Sequence, residues 1–124
     1  MLNSFDVELE INGDWHIGVM ANDDFLFYTS DNMISIPLNQ YPVTIRLVFL
    51  GRNYSVIGHS DNYCKIKNLF LNKLKFPYLI QQAEFNSDHL DYRHIPQCDY
   101  VNFNGVWQIT IGSATAEQQL KKLI

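Results

Sequence analysis

The sequence predicts a mainly β domain, α+β at the margin: an antiparallel β-sandwich or strongly bent sheet built from hairpins, with a short C-terminal helix. Three observations lead there. The N-terminal segment alternates apolar and acidic residues with period two. Short β-branched and aromatic runs recur between polar breaks. Two Asn-Gly dipeptides, a pair that favours the type I′ turn, sit between such runs.

Phe5, Val7, Leu9 and Ile11 fall on one side of the first segment, and Asp6, Glu8 and Glu10 on the other. This is a strand with one face buried and one wet. Asn12-Gly13 follows, and residues 15–20 supply the return strand of a first hairpin. Residues 21–24 read as a turn and 25–29 as a short aromatic strand. Ser30, Asp31 and Asn32 break it, residues 33–36 resume pairing, and 37–42, bounded by two prolines, form an irregular connection. Residues 43–50 are the most buried-looking run. Gly51 begins a turn into residues 54–58, a second hairpin.

Residues 63–76 admit two readings. A helix scatters Lys65, Lys67, Lys73 and Lys75 around all sides. A strand places all four on odd positions and Cys64, Ile66, Phe70, Leu74 and Phe76 on even ones, although Leu69 and Leu71 then share the lysine face. The strand separates the classes better and is preferred. Pro77 stops any regular element from continuing to residue 80. Residues 100–103, Asn104-Gly105 and residues 106–111 make a third hairpin. Thr115 with Gln118 forms a capping box for the terminal helix, whose apolar side is Ala116, Leu120, Leu123 and Ile124. Lys121 and Lys122 suit its negative end. The stretches around Asn12 and Asn104 share an N-G-x-W-x-I core, as two hairpins with one turn type would.

Residues 1–124 read as a single domain, with 47% apolar and 18% charged residues. A net charge of −4 excludes general coating of nucleic acid or anionic membrane, which needs a cationic face. The longest apolar run, residues 43–50, is far short of the roughly 18 residues of a spanning helix. With no basic, apolar leader at the N-terminus, the expectation is a soluble, cytoplasmic protein. Cys64 and Cys98 are then expected to be reduced and partly buried, although their spacing is compatible with a disulfide.

Charge is polarised along the chain. Residues 1–62 hold eight acids and two arginines, while residues 63–124 hold five acids, six lysines and one arginine. Alternate strand residues lie about 6.7 Å apart. Asp6, Glu8 and Glu10 at that pitch resemble the spaced charges of a nucleic-acid backbone, and Asp14, Asp23 and Asp24 extend the patch. With Tyr28 as a nearby anchor, these residues predict a partner-binding face. The expected function is a small acidic inhibitor of immunity or anti-defence type. Its partner is a basic protein, such as a nuclease or other nucleic-acid-processing enzyme, whose cationic surface it occludes without touching nucleic acid or membrane. No cofactor is called for.

Two alternatives compete. His89, Asp91, Arg93 and His94, beside Asp99, are the residue types of a small phosphodiesterase or metal-dependent hydrolase. His59, Cys64, His94 and Cys98 form a possible zinc set, with a first spacing outside the usual patterns. The other alternative is an assembly module that self-associates through strand edges. The lysines of residues 65–75, with Phe70 or Phe76 for base stacking, suit an edge-protecting role better than nucleic-acid binding. The sequence has no phosphate loop or nucleophile elbow, so binding rather than catalysis is the expectation.

Overall fold

The computed structural model describes residues 3–40, 42–51, 63–87 and 94–112. The expected second hairpin beyond Gly51 and the C-terminal helix lie outside these residues. Eleven strands are described: β1 Asn3–Asn12, β2 His16–Ala21, β3 Asp24–Thr29, β4 Met33–Leu38, β5 Val43–Leu50, β6 Tyr63–Leu71, β7 Leu74–Lys75, β8 Ala83–Ser87, β9 Ile95–Pro96, β10 Tyr100–Val101 and β11 Gly105–Ile111. They form two antiparallel sheets. One has the order β10-β6-β1-β4, with β7 paired to β6, and the other β3-β2-β5-β11-β8-β9. The mainly β, sandwich-like class is thus the observed one. Phe5, Val7 and Leu9 from the first sheet and Ile17, Ile45, Leu47 and Ile109 from the second enter one buried cluster, as half-buried alternating strands require. Residues 77–82, where Pro77 prevents a strand, form a 3-10 turn that buries Leu79.

The hairpins expected at Asn12-Gly13 and Asn104-Gly105 do not form. β1 pairs with β4 and β6, whereas β2 pairs with β3 and β5. Likewise β10 pairs with β6, and β11 with β5 and β8. Each Asn-Gly therefore carries the chain from one sheet to the other. Gly13, at φ 99°, supplies the reversal that other residues resist. The tryptophan that follows explains the choice of a crossing over a hairpin. Trp15 and Trp107 are both fully buried, and their indole N–H groups donate to the carbonyls of Asn12 (3.0 Å) and Cys98 (2.9 Å). The repeated N-G-x-W-x-I core thus marks two sheet crossings. They leave β1 and β10 on the two sides of β6, and deliver β2 and β11 to the two sides of β5.

β6 is the strand expected for its residues, with one correction. Its register with β1 shifts between Glu8 and Leu9, where a bulge at Lys67 and Asn68 changes the phase of alternation. Even residues Cys64 and Ile66 face the core before the bulge, and odd residues Leu69 and Leu71 after it. Phe70, expected inward, therefore lies half-buried on the outer face opposite Asp6. The other departure is β4, which runs on to Leu38. Pro37 fits there because β4 is an edge strand.

Candidate functional site

The acidic row of β1 does not stand free. Asp6 is only 5% exposed and lies 3.1 Å from Lys73 Nζ, while its second oxygen, Oδ1, has no partner among the described residues. Burial beside Phe70 and an ion pair with the chain's own lysine withdraw it from any partner, so its assignment to a wet face is corrected. Glu8 accepts a hydrogen bond from Asn68 Nδ2 at 2.5 Å, and exposed Glu10 accepts one from the Tyr63 hydroxyl at 3.0 Å. That bond and the Glu10 charge raise the Tyr63 pKa, because both favour the neutral phenol. Tyr63 also stacks on Tyr100, with ring centroids 5.3 Å apart. The same sheet carries exposed Lys65 opposite Glu10 and Lys75 opposite Phe70, with exposed Lys67 on β6 and Lys73 in the turn after it. Three acids against four lysines leave this face with no acidic character.

The other acids sit elsewhere. Asp14 is exposed in the first crossing, apart from the hairpin that Asp23 and Asp24 flank. Asn22, at φ 55°, forms the β2–β3 turn, donating its N–H to the Thr44 carbonyl (2.7 Å) while its Oδ1 accepts from Thr44 N (3.1 Å). Asp23 is fully exposed, 3.6 Å from Arg46 Nη1. The guanidinium is held mainly by the Asn22 carbonyl (2.7 Å) and Gln108 Oε1 (3.3 Å). Asp24 opens β3, and Asp31 follows it; both are exposed and neither has an ion pair among the described residues.

Between these carboxylates lies an exposed aromatic pair. The β2–β3 register shifts between Val19 and Met20, so that Phe25 pairs with Met20, Tyr28 with Gly18, and Leu26 occupies a bulge. The bulge brings Phe25 and Tyr28 to the same outer face, with centroids 4.7 Å apart and planes tilted by 53°. They are 51% and 68% exposed. Tyr28 lies over Gly18, where an added Cβ would be 3.3 Å from its Cε1. The aromatic run that points to Tyr28 is visible in the sequence, whereas the bulge that brings Phe25 beside it is not.

Only His94 of the hydrolase cluster and His94, Cys64 and Cys98 of the zinc set fall among the described residues. His94 is exposed and its Nε2 lies 2.8 Å from Glu84 Oε2, while Glu84 Oε1 accepts from Gln108 Nε2 at 2.6 Å. Cys64 and Cys98 are free thiols buried in the core. Desolvation pushes the Cys64 thiol up to about 12, and burial also raises Cys98. His59, the fourth member of the zinc set, lies outside the described residues, as do His89, Asp91 and Arg93. No group of three or more metal-ligating side chains occurs among the described residues. No helix among them is long and apolar enough to cross a membrane. Comparison with known proteins returns no matching family, no matching curated protein and no matching solved structure.

Proposed function

We propose that the chain works by one-to-one protein binding, as a small acidic inhibitor of immunity or anti-defence type that covers the cationic surface of a nucleic-acid-processing protein. The observation that carries this reading is the Phe25–Tyr28 pair, held in the open on an edge strand with Asp23, Asp24 and Asp31 at its two ends. Exposed aromatics with a polar rim are what protein interfaces use as anchors, because they bury much area for little lost rotamer freedom. The surrounding carboxylates speed encounter with a basic partner. The contact face is thus the β3 side, and Glu8 and Glu10 are spectators. This reading keeps the function expected from the charge balance and, of the residues expected to perform it, keeps Asp23, Asp24 and Tyr28, to which Phe25 and Asp31 are added.

The test replaces Tyr28 with a photoreactive phenylalanine derivative, cross-links it in lysate of the native host and identifies the captured protein by mass spectrometry. The captured protein is then purified and its activity on nucleic acid titrated with the chain. Inhibition complete at one equivalent, lost in Tyr28→Ala and retained in Glu8→Ser, is expected. A captured protein without a basic surface, or one whose activity the chain leaves untouched, overturns the reading.

A further inference from the structure

We infer that β3 is an augmentation edge, taking up an extended segment of the partner protein whose centre is apolar and whose two ends are basic. This inference rests on the binding reading above and adds the mode of contact and the chemistry of the partner. The first support is the way other edges are closed among the described residues. β4 carries Pro37, β9 is two residues long with Pro96, and β10 is two residues long. Proline and shortness are the ordinary means by which sheets avoid pairing with another chain. β3 has six residues, Asp-Phe-Leu-Phe-Tyr-Thr, with neither proline nor lysine, and lies at the end of its sheet among the described residues. After the bulge at Leu26, Phe27, Tyr28 and Thr29 pair regularly with Val19, Gly18 and Ile17, so this stretch offers an even edge.

Charge selects the occupant. Asp23 and Asp24 stand at the start of the strand and Asp31 just past its end. A second copy pairing antiparallel about the strand centre would bring Asp23 and Asp24 of one chain near Asp31 of the other. A parallel pair would set Asp24 beside Asp24. Like charges oppose both arrangements. A strand with lysine or arginine at each end meets opposite charge at both, and its main chain hydrogen-bonds to β3 while its side chains pack beside Phe25 and Tyr28.

The probes are three synthetic ten-residue peptides: one with alternating valine and threonine between Lys-Arg flanks, one with the same centre between Asp-Glu flanks, and one with Lys-Arg flanks and a central proline. Binding is followed by fluorescence polarisation, and amide hydrogen exchange locates it. The uninterrupted basic peptide is expected to bind at least about tenfold tighter than either other probe and to slow exchange in residues 24–29. The double variant Asp24→Asn, Asp31→Asn should weaken it several-fold and flatten its salt dependence. Equal binding of the three probes, or no slowing of β3 amides by any of them, overturns the inference. So does dimerisation of the chain alone through β3. If Tyr28 cross-links a basic protein whose purified complex leaves β3 amides exchanging freely, the binding reading stands and augmentation falls.

Discussion

Lys73 reaches across the β6–β7 turn to place its ammonium 3.1 Å from the Asp6 carboxylate, and it does so from a backbone at φ 69°. Asn72 precedes it at φ 54°, so both turn residues are left-handed, as a type I′ turn requires. The turn is pinned to β1 by Asn72 N–H donating to the Ser4 carbonyl (2.7 Å) and Ser4 N–H donating to Asn72 Oδ1 (3.1 Å). The lysine is 71% exposed and the carboxylate 7%, so loss of each partner is felt differently. Lys73→Ala leaves a buried charge unpaired and keeps the strained backbone; after discounting for the exposed lysine it should cost about 1–3 kcal/mol. Lys73→Gly loses the same pair but relaxes the left-handed residue, and should be about 1 kcal/mol less damaging. Asp6→Asn, which leaves only a solvated lysine unpaired, should cost under about 1 kcal/mol. Urea unfolding of the three variants checks the order.

That ion pair also shows where sequence reading stops. Period two correctly put Asp6, Glu8 and Glu10 on one face of β1, because alternation is a property of a single strand. Which neighbour supplies the counter-charge depends on strand order and on the bulge in β6, and neither is written in local pattern. The Asn-Gly dipeptides gave the places of reversal but not their partners: a reversal has the same chemistry whether the chain returns along its own sheet or crosses to the facing one. The signal for crossing was the tryptophan three residues after each asparagine, too large for a solvated hairpin and suited to a core between sheets. Exposed Phe25 was illegible for a related reason, since in an aromatic run one extra bulge residue decides which rings face water.

Gly51 follows β5, packed against the first crossing. A Cβ there would meet the Asp14 carbonyl oxygen at 2.4 Å and the Trp15 Cα at 2.9 Å, and both are main-chain atoms that no rotamer change can move. Gly51→Ala should therefore destabilise by about 2–3 kcal/mol, the scale of overpacking with backbone displacement. Gly112, with no described atom within 4 Å of an added Cβ, is the control, and Gly112→Ala should be within about 0.5 kcal/mol of the parent. Thermal melts of the pair read the contrast directly.

The buried thiols set an alkaline limit on stability. Well below pH 9 both cysteines are protonated whether the chain is folded or not, so they contribute no pH dependence there. Above the ordinary thiol pKa of 9.0 the unfolded chain releases the Cys64 proton while the folded chain keeps it up to about 12. The unfolded state then binds fewer protons, and stability falls as pH rises through that window. Cys98 adds to the fall in the same direction. Cys64→Ser is no remedy, since it buries a hydroxyl, but Cys64→Ala should flatten the decline between pH 9 and 12. In the native state at pH 8, neither thiol should react with a disulfide reagent on the timescale on which both react after unfolding.

Gly18 and Tyr28 separate folding from binding. An added Cβ at Gly18 would stand 3.3 Å from Tyr28 Cε1 and 3.6 Å from Val48 Cβ, so a neighbour must yield by a few tenths of an ångström. The Tyr28 ring is 68% exposed and able to lift. Gly18→Ala should therefore change stability by under about 1 kcal/mol, the strand gaining a side chain while the ring gives way. Tyr28→Ala should likewise cost about 1 kcal/mol or less, the scale of one cross-strand pair. Binding responds differently: an anchor truncated at an interface centre costs about 2 kcal/mol or more, and a ring lifted off its glycine presents the wrong surface. Chemical denaturation alongside titration with the cross-linked partner reads both effects on the same variants. Equal losses in folding and binding would make Tyr28 a cover for Gly18 and nothing more.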